Sequence, residues 1–182
     1  GSAEIEGSRH PLREANMAGE APAPDKADLR TALGGFVGNA GILTVGAGAE
    51  RSGLVCTSVI SPTGDPPRYL ACVSNSASAL QLIRQYGCFA INALSVGHKT
   101  LAERFAGFGG IKGEARYEGA NWTTLVTGAP ILTDAAASLD CEVEKLIEED
   151  GYTIVVGLVR AVASHAGRPG LVWWQGGFKA IS

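Results

Sequence analysis

The chain has 182 residues, 46% of them hydrophobic and 18% charged, which describes one domain with enough apolar matter for a core and excludes wholesale disorder. Fifteen Lys and Arg against eighteen Asp and Glu leave a net charge of −3, so there is no cation excess to neutralise a nucleic-acid backbone or an anionic membrane surface. No apolar run reaches the roughly 18 residues that span a bilayer, and the stretch up to Asp25 has no apolar segment of a secretory signal; the expectation is a cytoplasmic protein without nucleic-acid or membrane partners.

Residues 1–26 are polar, contain Pro11, Pro22 and Pro24, and lack helical or strand periodicity, so they read as a tail preceding a domain over 27–182. Gly1-Ser2 has the look of an expression remnant, and Met17, the single methionine, is a candidate natural start. Asp25 or Asp28 is placed to cap a short helix through Leu29, Leu33 and Phe36, stopped near Gly34-Gly35. A strand over Ile42 to Val45 follows, then glycine-rich turn chemistry from Gly46 to Gly53, then a strand over Leu54 to Ile60. Asp65-Pro66-Pro67 closes the next connection, and Tyr69 to Val73 resumes as a strand.

Leu80, Ile83 and Tyr86 recur at helical spacing between the serines at 76 and 78 and Gly87, a suitable residue just past a helix end. Phe89 to Leu94 reads as a buried strand, Ser95 as the cap of a helix carrying Leu101, Ala102 and Phe105, and 107–120 as a mobile loop rich in glycine. Leu139, Cys141 and Val143 alternate with Ser138, Asp140, Glu142 and Glu144, the period of a strand with one face in water. Asp150-Gly151 carries a type I′ hairpin signal, and Tyr152 to Ala163 returns as a strand whose Ile154-Val155-Val156 run needs cover on both faces. Leu171 to Gln175 completes about seven strands, mostly hairpin-linked, a pattern that favours an antiparallel barrel over a doubly wound sheet.

Cys56, Cys72, Cys88 and Cys141 each lie in an apolar segment and form no C-x-x-C pair, so they read as small buried thiols rather than metal ligands or a disulfide framework. His98, beside Lys99 near a helix start, reads as a solvated surface histidine, and His165 as a turn residue. Gly46-Ala47-Gly48 is a hairpin turn rather than a dinucleotide fingerprint, because Arg51 stands at the third glycine position and a strand follows instead of a helix. Asn121-Trp122-Thr123 reads as a strand start, and Trp173-Trp174 with Phe178 as core or dimer interface. Ser74-Asn75-Ser76-Ala77-Ser78, between a strand and a helix, is either an ordinary serine cap or an anion site built from backbone N–H groups and small polar side chains. Cys56-Thr57-Ser58-Val59-Ile60-Ser61 interrupts an apolar strand with groups able to hydrogen-bond the edge of a planar polar ring.

These two segments, joined by Asp65-Pro66-Pro67, resemble the flavin reductase family of short-chain NAD(P)H:flavin oxidoreductases, the small components of two-component monooxygenases. The resemblance runs from Leu29 to Ile181. It is carried by the ordered set Gly53-Leu54-Val55-Cys56-Thr57-Ser58-Val59, Cys72-Val73-Ser74-Asn75-Ser76-Ala77-Ser78, Phe89-Ala90-Ile91-Asn92, Leu101-Ala102-Glu103-Arg104-Phe105-Ala106-Gly107 and Gly128-Ala129-Pro130. It implies a mainly β, antiparallel FMN-binding split β-barrel with inserted helices, a homodimer with flavin sites at the subunit interface.

On this resemblance Thr57, Ser58, Val59, Ile60 and Ser61 meet the isoalloxazine and ribityl, while Ser74, Asn75, Ser76, Ala77 and Ser78 hold the phosphate. Two departures stand out: Ala79 where family members often carry Ser or Thr, and Tyr152 where many carry a histidine, its ring placed to cover flavin and nicotinamide. The implied reaction is hydride transfer from NADH or NADPH to FMN or FAD, which asks the protein for ring stacking and water exclusion rather than a catalytic acid or base. The reduced flavin then serves a monooxygenase. The rival readings are a reductase that retains its flavin and reduces a ferric chelate or corrinoid, and a noncatalytic flavin-binding barrel.

Overall fold

The computed structural model describes residues 22–181; most of the expected tail, including the Met17 start, lies outside the described residues. A short N-terminal unit runs to Leu33 and the main unit starts at Gly34. Helix α1 spans Lys26–Gly34. Asp25 is its cap, accepting the Ala27 N–H on Oδ1 at 2.6 Å. Asp28 lies inside the first turn. Phe36, expected on this helix, falls beyond its end.

The main unit contains β1 (Gly38–Asn39), β2 (Gly41–Val45), β3 (Ser52–Cys56), β4 (Val59–Gly64), β5 (Pro67–Ser74), α2 (Ser78–Tyr86), β6 (Cys88–Ala93) and α3 (Lys99–Phe105). It continues with β7 (Trp122–Thr124), β8 (Pro130–Leu132), β9 (Ala137–Glu148), β10 (Tyr152–Ser164), β11 (Gly170–Trp174) and β12 (Gly177–Ile181). Twelve strands thus replace the expected seven among the described residues. The surplus consists of short strands, too brief to show a period, and of one apolar run that divides.

That division builds the barrel. Leu54 to Ile60 is not one strand: β3 ends at Cys56, Thr57 and Ser58 cross over, and β4 starts at Val59. In the seven-stranded antiparallel sheet, ordered β3-β2-β6-β9-β10-β5-β4, these two successive strands occupy opposite edges. A flat sheet would hold its edges about 29 Å apart, six spacings of about 4.8 Å, whereas the three steps from Cys56 to Val59 reach about 11 Å at most. The sheet therefore curls until its edges meet, leaving a split between β3 and β4. Ser58 C=O accepts the Cys72 N–H at 3.1 Å and pins the crossover against β5.

Inside the curl, Ala79, Leu80 and Ile83 of α2 pack with Leu43, Val73, Phe89 and Val155, all fully buried. Gly87 ends α2 in the left-handed region, donating its N–H to Ile83 C=O. On the other side of β2, Ile42 packs with Leu94, Leu101, Phe105, Tyr117 and Leu171. Strands β1-β11-β12 form a separate sheet and β7-β8 a third; Trp173 and Phe178 meet edge to face at 5.0 Å between centroids in the former. No helix among the described residues is long and apolar enough to cross a membrane.

Several local expectations change. Ser138 and Asp140, expected in water, are buried. Asn92 Oδ1 accepts Ser138 O–H at 2.9 Å, and Asp140 Oδ2 accepts the N–H groups of Val126 and Thr127 at 2.7 and 2.8 Å. The 126–127 segment covers this end of β9 and supplies the donors a buried carboxylate requires. The β9–β10 turn has one left-handed residue, Gly151 (φ 90°), rather than the pair a type I′ turn needs. Cys72 is exposed while the other three thiols are buried, because it sits on the outer face of β5.

His98 is buried rather than solvated. It closes a capping box in which its Nδ1 accepts the Ser95 N–H at 3.1 Å, and its Nε2 lies 3.1 Å from Asp134. His165 does lie in a turn, with Nδ1 2.9 Å from Ala135 C=O. The 107–120 segment holds two 3₁₀ turns, Phe108–Gly110 and Gly113–Tyr117, and buries Tyr117.

Candidate functional site

The connection from β5 to α2 is shaped by its own hydroxyls and by the β9–β10 hairpin. Ser74 Oγ accepts the Ser76 N–H at 3.3 Å and lies 2.9 Å from Ser76 Oγ, the local competition with helix that small polar residues provide. Asn75 is anchored on three sides. Its N–H goes to Gly151 C=O at 3.1 Å, its Nδ2 to Glu149 C=O at 2.9 Å, and its Oδ1 receives Thr153 O–H at 2.7 Å. Ser78 Oγ lies 2.7 Å from Ser52 Oγ, linking α2 to β3. The N-cap of α2 is Ala77, and no side chain caps it; of the two readings of this turn, the ordinary serine cap is not the one formed.

The ring-edge segment lies at the barrel split. Thr57 is half-buried, Ser58 exposed and Val59 buried, while Ile60 and Ser61 are exposed on β4. Val59 C=O accepts Asn39 Nδ2–H at 3.0 Å, and the Ser61 hydroxyl donates to Arg68 C=O at 3.3 Å, so the Ser61 hydroxyl already serves the β4–β5 hairpin. Through the Ser58–Cys72 bond, Thr57 and Ser58 arrive beside the end of β5, two residues before Ser74. Tyr152 pairs across from Ser74 in the β10–β5 ladder and is 43% exposed. The fold therefore gathers both segments and Tyr152 around one end of β5.

Next to this end lies a cleft of about 890 Å³. Asn75 to Ser78 and the Gln81, Leu82 and Gln85 face of α2 form one wall, Ser52 to Leu54 the floor, and Glu50, Arg51, Lys112, Gly113 and Arg116 the other wall. Residues 57–61 and Ser74 do not line it. Three cations thus face the serine turn. A guanidinium N–H of Arg116 donates to Gly53 C=O, and burial lowers its pKa from the ordinary arginine value, leaving it charged at neutral pH. Arg51 lies 4.4 Å over the Tyr117 ring and pairs with Glu114 at 3.3 Å. Gly53 belongs here because a Cβ would stand 2.4 Å from Leu43 C=O and 2.6 Å from the Phe105 ring.

Sequence reasoning missed Arg51, Lys112, Arg116, Gln81 and Gln85. Arg51 entered only as the residue that breaks a glycine motif, and the other two cations sit in a segment without periodicity. The available signal was the i, i+4 pair Gln81 and Gln85 on a helix already marked by its apolar spacing; Lys112 and Arg116 carried none.

A polar array away from the cleft involves a histidine. Ser95, His98 and Asp134 form a chain, with Ser95 Oγ 3.0 Å from His98 Nδ1. His98 Nδ1 already accepts a backbone N–H, so it is committed to helix capping rather than free to take a proton from the serine.

Comparison with known proteins places this geometry in a family. Residues 33–182 match the flavin reductase like domain. The FMN reductase (NADH) RutF of Ancylobacter novellus is 31% identical over 173 residues, 94% of each chain. Among solved structures, the NADH:FAD oxidoreductase SgcE6 of Streptomyces globisporus superposes with a TM-score of 0.77 at 28% identity, over 90% of this chain and 99% of that one. BorF, the flavin reductase component of a bacterial two-component tryptophan halogenase, does so with a TM-score of 0.78 at 25% identity, over 86% and 98%. The antiparallel split barrel and the match across the whole main unit agree, and the chain belongs to the flavin reductase like domain family, a family of oxidoreductases.

Proposed function

We propose that the protein transfers hydride from NADH to a flavin, FMN or FAD, and delivers the reduced flavin to a monooxygenase component. The observation that carries this reading is the meeting of the Thr57–Ser58 crossover with the Ser74–Ser78 turn at one end of β5, beside a cleft with three cations. The NADH in the names of the RutF and SgcE6 relatives supports the choice of nicotinamide, and the two-component system of BorF supports the partner.

The residues present fit a flavin by their chemistry. An uncapped serine turn facing Arg51, Lys112 and Arg116 suits a phosphate dianion, and Thr57 and Ser58 bring a hydroxyl pair to the split where a planar ring edge needs polar contacts. When bound, the flavin supplies the two-electron acceptor. The chain's own part is to bind and orient: Asn75 fixes the turn against the β9–β10 hairpin, and Tyr152 stands beside Ser74 as a ring able to shield the site from water.

The protein acts as a homodimer on this reading. Ile60, Leu70, Val156, Cys72, Ile154 and Ile147 are cross-strand neighbours on the outer face of β4, β5, β10 and β9, an apolar stripe that a second copy would cover. Sedimentation of the purified protein checks this.

The deciding experiment is anaerobic absorbance after mixing the protein and flavin with NADH. Rapid bleaching of the flavin band is expected. Flavin that binds without bleaching overturns the reductase reading in favour of a noncatalytic barrel.

A further inference from the structure

On the inner face of β10, Thr153 stands where strand alternation predicts an apolar residue. Thr153 and Val155 are both fully buried, and so is Val73, which pairs with Thr153 across the ladder. Valine has nearly the same branched shape and would fill this place without bringing a hydroxyl into the core. A buried hydroxyl costs stability unless it is hydrogen-bonded. Here it donates to Asn75 Oδ1 at 2.7 Å.

That bond reaches beyond local packing. The Asn75 amide lies between the Thr153 hydroxyl and Glu149 C=O, which its Nδ2 meets at 2.9 Å. With a donor on one side and a carbonyl on the other, one orientation of the amide satisfies both. The Asn75 N–H goes to Gly151 C=O at 3.1 Å, so the backbone and side chain of one residue tie the 74–78 turn to the β9–β10 hairpin. Ser76 to Ser78 follow directly and run into α2, whose N-terminus no side chain caps. A tilt of Asn75 therefore displaces their hydroxyls and N–H groups. Thr153 does not itself line the cleft, so whatever it contributes there passes through Asn75.

We propose that Thr153 is a positioning residue that sets the preference for a phosphorylated over an unphosphorylated flavin, by holding Asn75 and through it the Ser74–Ser78 turn. This rests on the reading in which that turn takes the flavin phosphate.

The test is fluorescence titration of the full chain, without nicotinamide, using FMN and riboflavin, which lacks the phosphate. The proteins are the wild type, Thr153→Val, Thr153→Ser, Asn75→Ala and the double variant Thr153→Val/Asn75→Ala. Loss of one hydrogen bond is expected to raise the Kd for FMN about three- to tenfold in Thr153→Val. Riboflavin affinity stays near its wild-type value in that variant, and Thr153→Ser, which keeps the hydroxyl, restores FMN binding. Because Thr153 acts through Asn75, the double variant loses no more FMN affinity than Asn75→Ala alone. Unchanged FMN affinity in Thr153→Val, equal weakening of both flavins, equal losses in the Val and Ser variants, or additive losses in the double variant overturns the proposal. A wild-type protein that binds FMN and riboflavin equally overturns the phosphate assignment of the turn and this proposal with it, before any variant is made. Failure of NADH to bleach flavin would overturn the reductase reading alone, because neither titration contains NADH.

Discussion

The two walls of the cleft are built by different physics. The α2 wall is a regular helix whose buried face, Ala79, Leu80 and Ile83, leaves Ser78, Gln81 and Gln85 for the cleft, so one periodic pattern specifies both core contacts and site residues. The opposite wall, Lys112 to Arg116, belongs to an irregular segment held by tertiary contacts. Tyr117 packs its ring 5.0 Å from Phe105 and 4.7 Å from Trp122, and its hydroxyl donates to Ser52 C=O at 2.5 Å. Arg104 bonds Ala115 C=O and Glu118, and Arg116 bonds Gly53 C=O. A glycine-rich stretch becomes a defined wall because one buried aromatic ring and two arginines fasten it to α3 and β3.

Tyr117→Ala strikes the irregular wall and leaves the helical one intact. Removing a ring that is 2% exposed should cost about 3–5 kcal/mol, read by urea denaturation, with a parallel loss of flavin affinity as Lys112 and Arg116 lose their positions. A cost below about 1 kcal/mol would show that the wall is anchored elsewhere. Next in size is Gly53→Ala on the floor between the walls. Its Cβ would fall 2.4 Å from Leu43 C=O and 2.6 Å from the Phe105 ring, an overpacking of about 1–3 kcal/mol, visible as a lowered denaturation midpoint; full stability would mean that β3 shifts freely.

The smallest effect concerns the same strand's last residue. Burial raises the Cys56 thiol to about 12, and the Cys141 thiol likewise to about 12. A raised thiol pKa means that the reactive thiolate forms only near that pH, so at about pH 8 both remain protonated and resist alkylation until the chain unfolds. Mass spectrometry after iodoacetamide treatment checks this, and modification of Cys56 in the native protein would mean that the floor opens.

What was legible in the sequence follows the same division. Alternation and helical spacing marked β2, β5, β6, β9, β10, β11 and α2, because each buries one face or both against its neighbours and the period of side-chain direction is written in the residues. The Ser74–Ser78 turn was legible for a related reason, since its hydroxyls and amide shape the connection locally. Arg51 and Lys112 carried no such mark, and His98 was misread because its partners, Ser95 and Asp134, are joined to it by the capping box and by a contact distant in sequence.

Sequence alone determined the antiparallel class, the α2 helix with its glycine stop, and the order of the small polar segments, all consequences of backbone preference and side-chain periodicity. Tertiary structure alone decided that Thr57 and Ser58 would be the seam of a curled sheet, that Ser138 and Asp140 would be buried, and that cations from two separate segments would face the serine turn. These depend on which strand edges meet and which donors lie across the gap, relations between residues far apart in the chain that no local pattern records.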